Sequence, residues 1–275
     1  MRPVIAYPGT AGSFSCAAAQ GAFPEGDCVG YATFPEAAQA VLDSAADYAL
    51  LPVENSSAGA VIQTYSLLEK LPLHIVGEVM KPVRHQLLGV PGATLEGIRQ
   101  IDSHPQAIAQ CDEFLQGLEG VRLIPSANTA ISAREVAESG DVTRAAIASL
   151  EAAQTYGLTV LAENIQTSNA NTTRFVILSK HAVPLALPDK ASIIFTVNNE
   201  IGALAKVLTT FAGHGLNMSR IESRPLPDTT FVYFFLADFE GEMDAAHLSR
   251  AMEQARPHVG ELRLLGVYPR AKRPS

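Results

Sequence analysis

The stretch TSNANTTRF, residues 167–175, sets six hydrogen-bonding side chains that do not titrate near neutral pH just ahead of Arg174 and Phe175. Hydroxyls and amides at this density orient a substrate and donate hydrogen bonds to a departing oxygen. They do not take a proton from carbon, a task for His, a carboxylate, Cys or Lys of matched pKa. A site built on this loop therefore serves chemistry that needs a donor and no strong base; otherwise the stretch is an ordinary polar loop.

Three earlier stretches share this character. In PVENSSAG (52–59), Glu54 and Asn55 stand where a strand meets a loop, the usual place for ligand groups in parallel sheets. Ser56 and Ser57 either join them or simply turn the chain. In SHPQAIAQC (103–111), Gln110 follows Ser103 by seven residues and projects from the second turn of a helix that starts near Pro105. YPGTAGSFS (7–15) lacks both glycine patterns of phosphate-cradling loops. Backbone N–H groups at the helix start after it suit a carboxylate, with Thr10 and Ser13 beside them. His104 reads as a hydrogen-bonded structural residue. Cys111 reads as core, since nothing electropositive near it marks a thiolate.

The elements that must position these residues alternate. PVIAY, DYALLPVE, IRQIDSH, VRLIPS, RAAIAS and TRFVILSK read as strands. Between them, GSFSCAAAQGAF, EAAQAVLDSAA, SLLEKL, PQAIAQCDEFLQGL, NTAISAREVAESG and LEAAQTYG read as helices. Alternation of this kind predicts parallel sheets with crossovers, here as two α/β lobes. Lobe one takes about residues 1–80 and 160–180, and lobe two about 81–159. HAVPLALPDK, 181–190, has no periodicity and reads as a linker. Beyond it, ASIIFTVN, GALAKVLTTFAGHG, NMSRIESRPL, TFVYFFLADFEG, DAAHLSRAMEQARPHV and LRLLGVYP follow the order βαββαβ. That order is a ferredoxin-like split βαβ unit with a turn at Pro227-Asp228.

Composition narrows the function classes. With 20 basic against 28 acidic residues, the formal net charge is −8. This disfavours nucleic acid and anionic membrane as partners. The one basic cluster, Arg270, Lys272 and Arg273, reads as a frayed terminus. Three cysteines without C-x-x-C spacing argue against a disulfide framework or zinc site and fit a reducing compartment. No apolar run approaches the roughly 18–20 residues of a membrane span. The N-terminal VIAY run stops at Pro8-Gly9 and lacks the apolar core of a signal peptide. A cytoplasmic location is expected, with no metal and no cofactor.

Taken in order, YPGTAGSFS, PVENSSAG, SHPQAIAQC and TSNANTTRFVIL resemble the motifs of prephenate dehydratases. GAL (202–204) and ESRP (222–225) resemble those of an ACT regulatory domain. The resemblance runs to about residue 268. It implies a two-lobed, periplasmic-binding-protein-like catalytic domain over residues 1–180 with its site in the cleft, and an ACT domain over 191–270. The implied reaction is prephenate to phenylpyruvate, carbon dioxide and water, in phenylalanine biosynthesis. As carbon dioxide leaves, its electron pair expels the ring hydroxyl and the ring becomes aromatic. No C–H bond is broken, so a base is not required.

The resemblance makes Thr173 the hydroxyl that assists departure and gives Asn55, Ser103 and Gln110 catalytic places in the cleft. Glu54 stands with them, either catalytic or orienting. Arg174 offers a planar fork for a substrate carboxylate, and Thr172, Thr10 and Ser13 bind beside it. Phe175 either contacts the ring or packs in the core. L-Phenylalanine is the implied effector, held between subunits by Gly202, Ala203 and Leu204 of one and Glu222, Ser223, Arg224 and Pro225 of another, in a homodimer or homotetramer. Two alternatives stay open. Arogenate could replace prephenate as substrate. Two lobes about a cleft also describe a solute receptor, against which TTRF and the missing signal peptide argue.

Overall fold

The computed structural model describes residues 2–183, 187–197, 200–226 and 232–272. The turn expected at Pro227-Asp228, Asn198 and Asn199 before the GAL stretch, and Arg273 lie outside these residues.

The chain opens with β1 (Val4–Pro8), α1 (Phe14–Ala22), β2 (Asp27–Tyr31), α2 (Phe34–Leu42) and β3 (Tyr48–Asn55). A two-residue β4 (Gly59–Ala60), α3 (Ile62–Lys70) and β5 (His74–Pro82) follow. Then come β6 (Gln86–Gly89), β7 (Gln100–Ser103), α4 (Pro105–Gln110), α5 (Asp112–Gln116) and β8 (Arg122–Pro125). After α6 (Thr129–Ser139), β9 (Arg144–Ala148), α7 (Leu150–Tyr156) and β10 (Thr159–Ala162), the chain returns as β11 (Thr172–Ser179). The C-terminal unit is β12 (Lys190–Val197), α8 (Ala203–Gly213), β13 (Asn217–Pro225), β14 (Tyr233–Glu240), α9 (Ala245–Ala255) and β15 (Val259–Tyr268).

These strands make three sheets, ordered β2-β1-β3-β11-β5, β10-β6-β9-β7-β8 and β13-β14-β12-β15. In the first, β1 lies parallel to β2 and β3, while β11 inserts antiparallel between β3 and β5. The last sheet is antiparallel throughout and, with α8 and α9, gives the βαββαβ order of a ferredoxin-like unit. Two α/β lobes and a ferredoxin-like domain are thus the architecture.

Several details depart from expectation. The lobe sheets are mixed rather than parallel, with β11 antiparallel in the first and β6 antiparallel to β9 and β10 in the second, and β10 stays with lobe two beyond the boundary expected near residue 160. The single helix read over PQAIAQCDEFLQGL breaks at Cys111, whose φ −112° and ψ 17° leave the helical region. The reason is tertiary: Thr167 N–H donates to the carbonyl of Gln110 at 2.8 Å, taking that acceptor from the helix. Arg270 of the basic cluster is also tied down rather than frayed, pairing with Asp189 at 2.9 Å and Glu240 at 3.0 Å.

The first sheet has two different faces. Under α1, Ile5, Tyr7, Leu50 and Phe175 pack on the helix's alanines. On the opposite face, Leu51, Val53, Val176 and Leu178 share one core with Ile194, Phe234, Leu236, Leu265 and Tyr268 of the C-terminal sheet. The C-terminal domain therefore takes a place in the layer that helices usually fill. Gly266 of β15 lies so close to β5 that a Cβ there would overlap the Ile75 carbonyl. Arg263 donates to the carbonyls of Leu68, Glu69 and Leu71 at the C-terminal end of α3, where a cation is favoured. Among the described residues no helix is long and apolar enough to cross a membrane.

Candidate active site

One rung of the β3–β11 ladder carries the site. Thr173 pairs with Asn55, and the next rung pairs Arg174 with Glu54. Side chains alternate along a strand. On β11, Thr173 therefore faces the cleft between lobes and Arg174 the C-terminal domain. On β3 a bulge at Val53 shifts the register, so Asn55 joins the cleft face and Glu54 the other, although Val53 itself packs with the C-terminal sheet.

The backbone sets the polarity of the cleft side. Asn55 Oδ1 accepts from the N–H groups of Ser57 and Ala58 at 3.0 and 2.9 Å, in the turn that ends β3. That fixes the amide, so Asn55 Nδ2 is a donor toward Thr173 Oγ1 at 2.9 Å and Asn171 Oδ1 at 2.7 Å. Asn171 Nδ2 then donates to Gln110 Oε1 at 2.9 Å. The same oxygen lies 2.9 Å from His85 Nε2 and only accepts, so His85 carries its proton on Nε2. Two ends of this chain are left free to act. Thr173 accepts from Asn55 and keeps its own proton for the cleft. Gln110 uses its oxygen internally and keeps its NH₂.

His85 is buried, with Phe14 edge-on at 5.6 Å and no partner for Nδ1. Burial holds its pKa below the ordinary value, only partly offset by Gln110, so the ring is neutral. His104 caps α4 by accepting from Gln106 N–H at Nδ1, 3.2 Å away, as a structural residue does. Burial pushes the Cys111 thiol up to about 12, away from any nucleophilic role.

The cleft encloses about 490 Å³, within the roughly 300–1,000 Å³ usual for small-molecule sites. Asn55, Thr173, Asn171, Gln110 and His85 line one wall, and Phe14, Val61 and Val83 supply apolar surface. Asn128 and Thr129 bring the N-terminus of α6 to the opening. Among the described lining residues there is no Asp, Glu, Lys or Arg.

Comparison with known proteins gives this arrangement its family. The model of the prephenate dehydratase family matches residues 5–183. This chain belongs to that family. The ACT domain model matches residues 191–257. An Arabidopsis thaliana protein, arogenate dehydratase/prephenate dehydratase 1, is 41% identical over 281 residues, 96% of this chain and 71% of the relative. A bifunctional N-acyl-homoserine lactone acylase/prephenate dehydratase of Komagataeibacter europaeus is 38% identical, covering 97% of this chain and 95% of its own. The solved structure of prephenate dehydratase from Arthrobacter aurescens, in complex with L-Phe, superposes with a TM-score of 0.88 at 30% identity. It covers 99% of this chain and 92% of that one. Members of the family are lyase-type dehydratases.

Set against that family, the expected site residues divide. Thr173, Asn55 and Gln110 meet at the cleft. Ser103 does not line it; its hydroxyl is buried and donates to the Ile147 carbonyl at 2.7 Å, pinning β7 to β9. Ser13 caps α1 by accepting from Cys16 N–H, and Thr10 buries its hydroxyl without a partner, so neither side chain lines the cleft. Thr172 does not line the cleft; at the start of β11 its N–H donates to Ser56 Oγ at 3.0 Å. Phe175 is core, under α1.

Arg174 requires the largest correction. Expected to hold a substrate carboxylate, it is buried behind the rung and bound to protein carboxylates: Glu78 at 2.7 Å, Asp238 at 2.6 Å and Glu54 at 3.2 Å. Burial alone would lower its pKa, but Asp238 and Glu78 reverse that, and the guanidinium stays charged. Glu54 is likewise held there, by Arg174 and by Arg220 at 2.8 Å. Sequence reasoning missed His85 and Asn171. Asn171 lies inside the polar stretch first noticed. His85 gave no signal, being a lone His in KPVRHQLLGV, outside the polar stretches.

Gly202 is the N-cap of α8 at φ +76°, a left-handed position that favours glycine. It follows β12, whereas Glu222–Pro225 lie on β13, with β14 between the two strands. Glu222 and Arg224 pair at 2.7 Å.

Proposed function

We propose that this enzyme converts prephenate to phenylpyruvate, carbon dioxide and water, and that L-phenylalanine bound at the C-terminal domain inhibits it. The observation that carries the catalytic reading is the direction of the Asn55–Thr173 hydrogen bond. Because Asn55 can only donate there, Thr173 presents a free O–H to the cleft. The ring hydroxyl of prephenate needs such a donor as it departs. Prephenate is a dianion; with one proton taken up it gives phenylpyruvate anion, carbon dioxide and water. The carboxylate C–C bond breaks, its electron pair completes the aromatic ring, and the C–O bond breaks at the opposite carbon. Thr173 hydrogen-bonds the leaving oxygen, and the net proton comes from solvent. Positioning matters more than acidity here, since aromatisation supplies driving force.

The neutral lining supports prephenate over arogenate. Arogenate brings an ammonium group into the cleft, where no described lining residue offers a carboxylate. Beyond its own neighbouring carboxylate, the ammonium finds no anionic partner among the described lining residues to offset its desolvation. Anionic groups fare better, because α1 and α6 present their positive ends at Phe14 and Thr129. With no fixed cation among the described lining residues, the departing carboxylate has no salt bridge that its loss would have to break. Parallel kinetics on both substrates test this reading. A kcat/KM for arogenate equal to or above that for prephenate would overturn it.

Regulation is supported by the ACT match and by the L-Phe complex of the Arthrobacter relative. In this reading one subunit supplies Gly202, Ala203 and Leu204 and another supplies Glu222, Ser223, Arg224 and Pro225, in a homodimer or homotetramer. Phenylalanine inhibits only through unequal affinity for two conformations. Calorimetric titration alongside activity checks it; absence of binding by the full-length protein would refute it.

A further inference from the structure

We propose that Arg174 and Glu54 are positioning residues for the dehydration. Anchored by Asp238 and Arg220 of the C-terminal domain, they fix the Thr173–Asn55 rung from behind and carry that domain's state to it. The inference rests on Thr173 and Asn55 being the reacting pair.

Both residues are next in chain to that pair and share one rung on the opposite face. A shift of Arg174 or Glu54 cannot leave Thr173 and Asn55 in place, because each is one peptide away. The Arg174 fork is used fully: Nε donates to Glu78, Nη1 to Asp238 and Glu54, and Nη2 to the Tyr268 hydroxyl at 3.3 Å. Asp238 is held in turn by Ser192, which also contacts Tyr268. Lys190 closes the far side on Glu78 at 3.0 Å. On the catalytic side the partners belong to β3, β5 and β11. The others, Lys190, Ser192, Asp238, Arg220 and Tyr268, belong to four strands of the C-terminal sheet.

A connection to the ESRP stretch runs along one face of β13. Residues 220, 222 and 224 alternate onto the same side. Arg220 pairs with Glu54 at 2.8 Å and lies 4.8 Å from the centre of the Tyr65 ring. Arg224, paired with Glu222, lies 5.9 Å from the same ring. Tyr65 itself donates to the Val53 carbonyl at 2.8 Å, two residues before Asn55. Movement of Glu222 or Arg224 thus reaches β3 by two routes, one ionic and one through Tyr65.

The test uses the full chain, because removing the C-terminal domain would uncover a shared core. Arg220→Gln breaks the ionic route and leaves the rung chemically unaltered. We expect kcat to fall roughly tenfold or more with KM changed less than about threefold, since small misplacements of reacting groups are costly. Arg220→Lys should recover part of the loss. In a double-mutant cycle on kcat, Arg220→Gln and Glu54→Gln together should cost little more than either alone. Phenylalanine should bind Arg220→Gln by calorimetry nearly as in wild type, while its inhibition weakens. If Arg220→Gln fails to fold, Arg220→Lys and Tyr65→Phe carry the same measurements. A lowered melting temperature with unchanged kcat and inhibition, or losses that multiply independently, would overturn the proposal. Thr173→Val at wild-type turnover would instead refute the assignment of the reacting pair. If wild type binds no phenylalanine, the effector reading fails, and the kinetic cycle still decides whether the rung is positioned from behind.

Discussion

Asn55→Asp is the most searching perturbation of the cleft, because it changes polarity without changing shape. The carboxylate still accepts from Ser57 and Ala58 N–H, so the turn survives. Its second oxygen now faces Thr173 Oγ1 and Asn171 Oδ1, where Asn55 had donated at 2.9 and 2.7 Å. Thr173 must turn its proton onto that oxygen. A hydrogen bond to a charged group is worth about 1.5–3 kcal/mol. The hydroxyl must give up this bond to serve the leaving group, which slows kcat roughly 10–150-fold at about 1.4 kcal/mol per decade.

The change propagates. Asn171 flips to donate to the new carboxylate and presents its oxygen to Gln110. Gln110 flips to donate to Asn171 and to His85 Nε2. His85 then moves its proton to Nδ1. Steady-state phenylpyruvate formation from prephenate, the proposed reaction, reads the first effect, and ¹⁵N NMR of His85 reads the second, as a switch of the protonated nitrogen. Wild-type turnover in Asn55→Asp, or a His85 that keeps its proton on Nε2, would refute the polarity argument.

Four further outcomes follow from the same geometry. Thr173→Val keeps the strand's β-branched shape and removes the donor, so turnover should fall about 10²–10⁴-fold, while Thr173→Ser stays much closer to wild type; initial rates decide. Arg174→Lys keeps the charge but cannot bridge Glu78, Asp238 and Glu54 together. Denaturant unfolding should show a loss of about 3 kcal/mol, at the lower end for broken buried pairs, with KM little changed. Gly266→Ala should destabilise by about 1–3 kcal/mol or more, because the new methyl overlaps the Ile75 carbonyl; thermal unfolding measures it. His85 has a lowered pKa when folded, so the unfolded chain binds a proton first as pH falls below about 6.5. Stability should therefore drop from pH 7 toward pH 5, and the part due to His85 should vanish in His85→Gln.

The sequence made some of this legible for physical reasons. The alternating lobes and the βαββαβ unit follow from local periodicity and turn residues, which survive folding. Asn55 at a strand end and Gln110 on an early helical turn stand where ligand groups usually stand. The error at Arg174 was also legible. Thr173 and Arg174 are neighbours on one strand, and alternation forbids both from facing one cleft. What local pattern does not reveal is the content of the opposite face. Glu78, Asp238 and Tyr268 lie 96, 64 and 94 residues away in sequence. Likewise the break at Cys111 comes from the Thr167 N–H, far downstream in the polar loop, and His85 gains meaning only from Gln110 and Asn171.

The placement of charge in the molecule has its own logic. A buried ion cluster is weak evidence for stability, since apolar residues of similar volume often hold a structure as well. An apolar pair in place of Arg174 and Glu54 would seal the interface equally and leave the ladder freer to slide. Directional bonds to four acceptors do not allow that freedom, because a shift of one rung would break them together. The cleft has the opposite requirement. A fixed cation there would grip the carboxylate whose loss starts the reaction, raising the barrier it must cross. One strand meets both demands by alternation: Thr173 faces a neutral, hydrogen-bonding cleft, and Arg174 faces a charged, rigid one-sided clamp. Exchanging the two residues, Thr173→Arg with Arg174→Thr, would place charge in the cleft and remove it from the clamp. Both stability and turnover should then collapse, although the composition of the protein is unchanged.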